Sequence, residues 1–374
     1  MKDRLTVLQL IPALEAGGAE RSTLEIARAL VAAGHRSIVV SSGGRLTATL
    51  EREGSRHLTM PIAAKSLATL LQVPKLRALL REIEPDIVHA RSRVPAWLAW
   101  LALRGRRGAT HFVTTAHGLN SAGFYSSIMA RGERVICVSN MVRDHLLRHY
   151  RFADPRHLVV IPRGVDPEAF PYGWQPDDYW REWFFAEFPQ LAGAPLLTLP
   201  ARGTRLKGHA DAIRLVADLK ARAIETRLIL LGVRQSGREA YVAELEKLAV
   251  ELGVDGWVAM SAQREDAKDV CAASALVLQL SNKPESFGRT VIEAISLCRP
   301  VLGYDHGGVG ELLTDLYPAG RVPPGDRERL TERAAQLLSA APPITPLDRY
   351  RLVDMQAATL ALYANLVSGS PATS

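Results

Sequence analysis

The chain has 374 residues, about twice the length of an average single domain, so two domains are expected. Hydrophobic residues make up 47%, enough for sizeable cores and too many for a disordered or low-complexity protein. The net charge of +7 is unevenly placed, with 24 Lys and Arg against 12 Asp and Glu in residues 1–163 and 22 against 27 in the rest.

The opening "MKDRLTVLQLIPALE" has too short an apolar run and too early an acid for a signal peptide. Within it, "LTVLQLI" (5–11) reads as a buried strand that stops at Pro12. Then "AGGAERSTLEIARALVAAG" gives a Gly pair and an amphipathic helix, with Leu24, Ala27 and Val31 at helical spacing and Gly34 as the stop. "RSIVVSS", "DIVHA", "HFVTTAH", "RVICVS" and "LVVIP" are further short strand-like runs separated by helical segments. Such alternation predicts a parallel, doubly wound sheet. After "IPRGVDPEAF" comes an aromatic, partly acidic stretch, "PYGWQPDDYWREWFFAEFPQ", read as a linker or insert over 166–190. A second α/β series follows through "APLLTLP", "TRLILLG", "GWVAM", "ALVLQL" and "PVLGYD". The expected domains are therefore 1–165 and 191–345, with a terminal helical pattern at 346–366.

Cys137, Cys271 and Cys298 sit in apolar runs without C-x-x-C, which suits reduced core residues of a cytoplasmic protein. No apolar segment approaches the ~20 residues of a membrane span. A nicotinamide site is disfavoured. The first turn reads "EAGGAE" in place of G-x-G-x-x-G, and the second strand ends "VVSSGG" without the ribose-binding acid.

Two constellations carry chemistry. "SNKPESFG" leaves the C-terminal end of the strand "ALVLQL", where α/β proteins bind ligands. The amides of Ser286, Phe287, Gly288 and Arg289 open the next helix and favour phosphate, and Gly288 lets a ligand come close. Glu285 lies before that helix and Glu293 about two turns into it, each suited to accept hydroxyl hydrogen bonds. The plainer reading of the pair is a capping acid and a surface acid. In "LPARGTRLKGH", Arg202 and Lys207 lie five apart in a Gly-containing loop and can neutralise a diphosphate. The plainer reading there is a solvated basic turn, and Arg205 between them competes for the role.

Taken together, R-x-x-x-x-K-G at 202–208, E-S-F-G-x-x-x-x-E at 285–293 and "GGVGE" at 307–311 resemble glycosyltransferase family 4. "AGGAER" after the first strand, "TTAHG" at 114–118, "VSN" at 138–140 and "VIPRGVD" at 160–166 extend the resemblance over essentially the whole chain. It implies a GT-B fold: two Rossmann-like domains facing a cleft, with the terminal segment 346–374 crossing back to the first domain. It also implies a retaining, metal-independent transfer of a hexose-type sugar without a cofactor, and no D-x-D metal motif occurs in the sequence.

By resemblance, Arg202 and Lys207 hold the donor diphosphate, Glu285 the transferred sugar and Glu293 the nucleotide ribose. Ser286, Phe287 and Gly288 line the donor, Gly17 and Gly18 approach its diphosphate, and His117 contacts the sugar. Arg163 stands where the family often has Asn, in the hinge before the second domain, and is grouped with the arginines expected to meet the acceptor or the membrane.

The acceptor side is read from "ARSRVPAWLAWLALRGRRG" (90–108). A short helix carries Trp97, Leu98, Trp100 and Leu101, flanked by Arg91, Arg93, Arg104, Arg106 and Arg107. It resembles transferases of bacterial lipopolysaccharide core assembly. The implied partners are a nucleotide sugar, with UDP favoured, and an anionic glycolipid or oligosaccharide rather than nucleic acid. The implied place is the cytoplasmic face of the inner membrane, reached by peripheral contact. Exopolysaccharide or another glycan is the alternative acceptor. A sugar-nucleotide epimerase and a non-catalytic glycan-binding protein are the alternative functions.

Overall fold

The computed structural model describes residues 4–15, 17–105 and 110–369. Two compact units divide the chain: residues 1–163 with 352–374, and residues 164–351.

The first unit is built on seven strands: β1 (Thr6–Leu10), β2 (Arg36–Ser41), β3 (Arg56–Thr59), β4 (Ile87–Ala90), β5 (His111–Ala116), β6 (Arg134–Cys137) and β7 (Leu158–Val160). Their order is β3-β2-β1-β4-β5-β6-β7, all parallel. Both faces are covered, so adjacent residues of one strand enter different cores. Val7 packs with Ile26 and Leu30 of the Gly18–Ala32 helix, and Leu8 packs with Leu76, Leu80 and Leu98. The terminal helix Leu352–Ser368 closes the Val7 side with Met355, Leu362 and Tyr363.

The second unit holds β8 (Leu196–Pro200), β9 (Arg227–Leu231), β10 (Val258–Met260), β11 (Leu276–Gln279), β12 (Val301–Tyr304) and β13 (Arg321–Val322). Their order is β10-β9-β8-β11-β12-β13, again parallel.

The stretch read as a linker or insert at 166–190 lies in this unit and carries the helix Asp178–Glu187. Asp177 caps that helix, accepting from the Trp180 amide at 2.8 Å. Phe184 is fully buried against Leu196, Ile229 and Val270. Trp180 Nε1 donates to Asp266 at 2.9 Å, which satisfies an indole that would otherwise favour solvent.

Strand order reverses between β1 and β4 in the first sheet and between β8 and β11 in the second. At such a switch point the loops leave the strand ends in opposite directions and open a crevice for ligands. No helix among the described residues is long and apolar enough to cross a membrane.

Candidate active site

In the second unit, the loops after β8 and β11 meet at the switch point. Lys207 lies in a single 3-10 turn, Arg205–Lys207, and Gly208 follows at φ +77°. A Cβ there would lie 1.9 Å from the Leu280 carbonyl oxygen, so only glycine lets the two loops touch. Lys207 Nζ donates to Glu285 Oε1 at 2.6 Å. The same oxygen accepts from Ser281 Oγ and, at 3.3 Å, from Gln279 Nε2. His306 Nε2 contacts the Ser281 carbonyl at 2.7 Å. The Gly308 amide donates to the Glu285 carbonyl at 2.8 Å. The "GGVGE" segment therefore acts structurally, as the helix Gly307–Leu316 whose first turn holds the backbone at Glu285.

Gly288 caps the Arg289–Ser296 helix at φ +109°, where a side chain would meet Val309 Cγ2 at 2.8 Å. Ser286 and Phe287 immediately precede it, with Phe287 buried and its ring 6.2 Å from that of Tyr350. Glu293 is half-buried two turns along, close enough to Cys271 to add to the effect of burial in pushing that thiol up to about 12. Arg202 is exposed and its side chain makes no ion pair among the described residues. Arg205 pairs with Glu244 and lies over the Tyr241 ring.

In the first unit, a polar cavity of about 270 Å³ lies at the β1/β4 switch point, lined by Ala19, Arg91, Ser92, Arg93, His117 and Asn120 among others. Gly17 and Gly18 open the Gly18–Ala32 helix beside it. Arg163 Nη2 lies 2.6 Å from His117 Nδ1. A guanidinium has no acceptor, so Nδ1 accepts and Nε2 carries the imidazole proton. Arg163 Nη1 and Arg91 Nη1 both donate to Ser22 Oγ, at 2.6 and 3.2 Å, and Arg91 Nε donates to Gln9 at 2.7 Å. Behind them His89 is fully buried between Tyr363 and Thr115, each at 2.6 Å. Burial, and then the charges of Arg91 and Arg163, hold His89 well below its usual pKa.

These positions correct the expectation for two arginines. Arg91 is 3% exposed and Arg163 is 7% exposed, so neither can touch a bilayer. Arg91 follows β4 directly and is drawn inward by neutral acceptors, Gln9 and Ser22, that the local sequence does not reveal. On the Arg93–Leu103 helix, Leu98 is buried while Trp97 and Trp100 are half-buried and pack edge to face at 5.6 Å. Arg104 is exposed over the Trp100 ring at 4.7 Å. Arg106 and Arg107 lie outside the described residues. Sequence reasoning missed Gln9, Ser22, His89, Gln279, Ser281 and Tyr363. Only Ser281, four residues before Glu285, carried a local signal.

Two parallel-sheet units with ligand-binding crevices at their switch points define a doubly wound α/β architecture, and comparison with known proteins gives its family. Residues 16–169 match the family described as Glycosyltransferase Family 4, and residues 184–348 match Glycosyl transferases group 1. The two cover more than four fifths of the chain, which belongs to these glycosyltransferases and has the GT-B fold. A D-inositol 3-phosphate glycosyltransferase of Corynebacterium kroppenstedtii is 30% identical over 50% of this chain, and the match spans 42% of that relative's length. A glycosyltransferase from Rickettsia africae ESF-5 superposes with a TM-score of 0.88 at 28% identity, over 98% of this chain and 100% of that one. Anabaena Alr3699/HepE, solved with UDP and glucose, shares the fold at 20% identity, with a TM-score of 0.78 over 96% of this chain and 100% of that one. WaaG, a glycosyltransferase involved in lipopolysaccharide biosynthesis, does so at 18% identity, with a TM-score of 0.66 over 97% and 98%.

Proposed function

We propose that this protein moves a hexose-type sugar from a nucleoside-diphosphate sugar, UDP favoured, to an anionic glycolipid of the lipopolysaccharide-core type. The observation that carries the reading is the convergence of Lys207 and Glu285 at the second switch point, beside the start of the Arg289–Ser296 helix. A cation beside a helix N-terminus suits a diphosphate, and an adjacent carboxylate suits sugar hydroxyls. Arg202, on the same loop, adds a second cation, and Glu293 is assigned to the ribose. HepE's complexes with UDP and UDP-glucose support the choice of nucleotide. The phosphorylated substrate named for the inositol-phosphate relatives supports an anionic acceptor.

In the proposed reaction the acceptor hydroxyl attacks the anomeric carbon from the side of the leaving group. The bond from that carbon to the diphosphate oxygen breaks, and the hydroxyl proton passes to the leaving phosphate. Lys207 and Arg202 stabilise the charge that develops on the diphosphate. His117, protonated at Nε2, acts as a hydrogen-bond donor. The reaction is assigned no metal or cofactor, and its place is the cytoplasmic face of the inner membrane.

The test is incubation with UDP-, GDP- and ADP-sugars in the presence of lipopolysaccharide-core acceptors. Retained-configuration transfer from a UDP-sugar is expected. Epimer formation without acceptor would make the protein an epimerase, transfer only to another glycan would remove the acceptor assignment, and binding without turnover would leave a glycan-binding protein.

A further inference from the structure

Two recesses of the first unit share the start of the Arg93–Leu103 helix. On one side Arg91, Ser92 and Arg93 line the polar cavity at the switch point. On the other, Val94, Trp97 and Leu98 line a groove of about 420 Å³ whose far wall includes Leu70, Phe124 and Tyr125. The two differ sharply in chemistry.

The cavity holds a buried cation. Arg91 spends Nε on Gln9 and Nη1 on Ser22, both neutral, and its Nη2 makes no hydrogen bond among the described residues. Its direct hydrogen-bond partners are thus neutral, burial lowers its pKa, and the charge of nearby Glu25 offsets that only in part, so an anion in the cavity would further stabilise the guanidinium. Glu20 is the one carboxylate among the residues lining the cavity, and it is folded back against Gly17.

The groove is apolar with a cationic rim. Phe124 is 77% exposed and Leu70 46%, a large outlay of apolar surface at one place. Trp97 stacks at 5.1 Å from Phe124 and donates its indole N–H to the Tyr125 carbonyl at 2.9 Å, which leaves its ring as a wall. Lys65 and Arg93 flank the Tyr125 ring at 4.3 and 5.0 Å. Arg93 thus borders both recesses, and a ligand charged at one end and apolar at the other matches them in order.

We propose that the first unit binds its acceptor as a phosphoryl-bearing amphiphile, with the phosphoryl group on Arg91 and Arg93 and the alkyl or isoprenoid chain along Trp97, Leu98 and Phe124. This rests on the reading of the first unit as the acceptor unit. A free sugar phosphate would fill only the cavity, and a neutral lipid only the groove.

The test is equilibrium binding of the full chain to three probes: inorganic phosphate, octyl phosphate and octyl glucoside, the last two below their micelle concentrations. Octyl phosphate is expected to bind at least about tenfold more tightly than either other probe, since chain burial and charge pairing both contribute. Arg91→Met should abolish its advantage over octyl glucoside. Because Arg91 is buried and this variant can fail to fold, Arg93→Gln, at a half-buried site, is the second probe of the same arm and should weaken octyl phosphate and inorganic phosphate while leaving octyl glucoside unchanged. Leu70→Ser with Phe124→Ser should remove the advantage over inorganic phosphate and leave inorganic phosphate binding unchanged. Equal binding of inorganic and octyl phosphate would overturn the chain seat, and equal binding of octyl phosphate and octyl glucoside would overturn the anion seat. UDP binding is measured in parallel. A chain that binds UDP without the octyl phosphate preference loses this inference and keeps the transferase reading, whereas octyl phosphate binding without any nucleotide binding does the reverse.

Discussion

Lys207 Nζ and Glu285 Oε1 lie 2.6 Å apart, joining the loop after β8 to the loop after β11. The two residues come from motifs 78 positions apart, one assigned to phosphate and the other to sugar. Here each is the other's partner. Their side chains are 25% and 22% exposed, so the pair is only partly screened and also draws in Ser281 and Gln279. A diphosphate arriving beside Lys207 would compete with Glu285 for the ammonium and release a carboxylate oxygen for a sugar hydroxyl.

The cation assignment predicts that Arg202→Ala with Lys207→Ala loses nucleoside-diphosphate binding while the fold persists, because both side chains sit on loops. In wild type, UDP at 100 times its Kd should stabilise by about 2.7 kcal/mol. Thermal shift reads this directly. Equal protection of the double variant and wild type by UDP would show the clamp to be misassigned.

Glu285→Gln is expected to lower turnover by about two orders of magnitude, the scale of losing one charged group that acts in a transition state. Its UDP affinity should hold, since Lys207 is freed from a competing carboxylate. Glu293→Ala should do the opposite and weaken UDP itself. Titration calorimetry with UDP, set against initial rates with the UDP-sugar, separates the two. Matching losses of UDP affinity in both variants would defeat this division of labour.

Gly208→Ala tests the loop contact rather than the charge. The new Cβ would overlap the Leu280 carbonyl oxygen, in a backbone conformation that alanine adopts at a cost of about 1–2 kcal/mol. Separation of the two loops should break the Lys207–Glu285 pair and lower UDP affinity without removing any functional side chain. A variant that melts and binds UDP like wild type would mean that the loops need no such close approach.

The sheets were legible because strands buried on both faces read as unbroken apolar runs, "LTVLQL" and "ALVLQL" among them. The charged loops after β8 and β11 stood out for a related reason: each is short and carries its charges at fixed spacing beside a glycine. The inward turn of Arg91 was not. Its partners Gln9 and Ser22 lie 82 and 69 residues away, and a run such as "HARSR" looks like solvated charge when they are out of sight. The His89–Tyr363 contact spans 274 residues. The packing of the 166–190 stretch was not legible either: Asp177 caps its helix, but Asp266, which accepts from the indole of Trp180, lies 86 residues along the chain.

His89 in the first unit and His209 in the second are both fully buried. Burial is the chief cause in each case, holding His89 well below 6.5 and pushing His209 down to about 4. Half-buried His57 and His145 are lowered in the same direction. In the unfolded chain these imidazoles return to about 6.5 and take up protons that the folded chain refuses. The stability they contribute is therefore complete above about pH 6.5 and is lost as the pH falls toward 4. At pH 5 the loss from His209 alone is about 2 kcal/mol, from about 1.36 kcal/mol for each pH unit below 6.5. For units of this size that corresponds to a fall in melting temperature of about 4–8 °C between pH 7.5 and pH 5. His209→Gln should lessen the fall in the second unit's transition and His89→Gln in the first's, each with some loss of stability at pH 7.5. The measurement is a calorimetric scan of wild type and both variants at the two pH values. A wild-type melting temperature that stays level or rises on acidification would mean that the buried histidines are protonated in the folded chain, against the environments found for them.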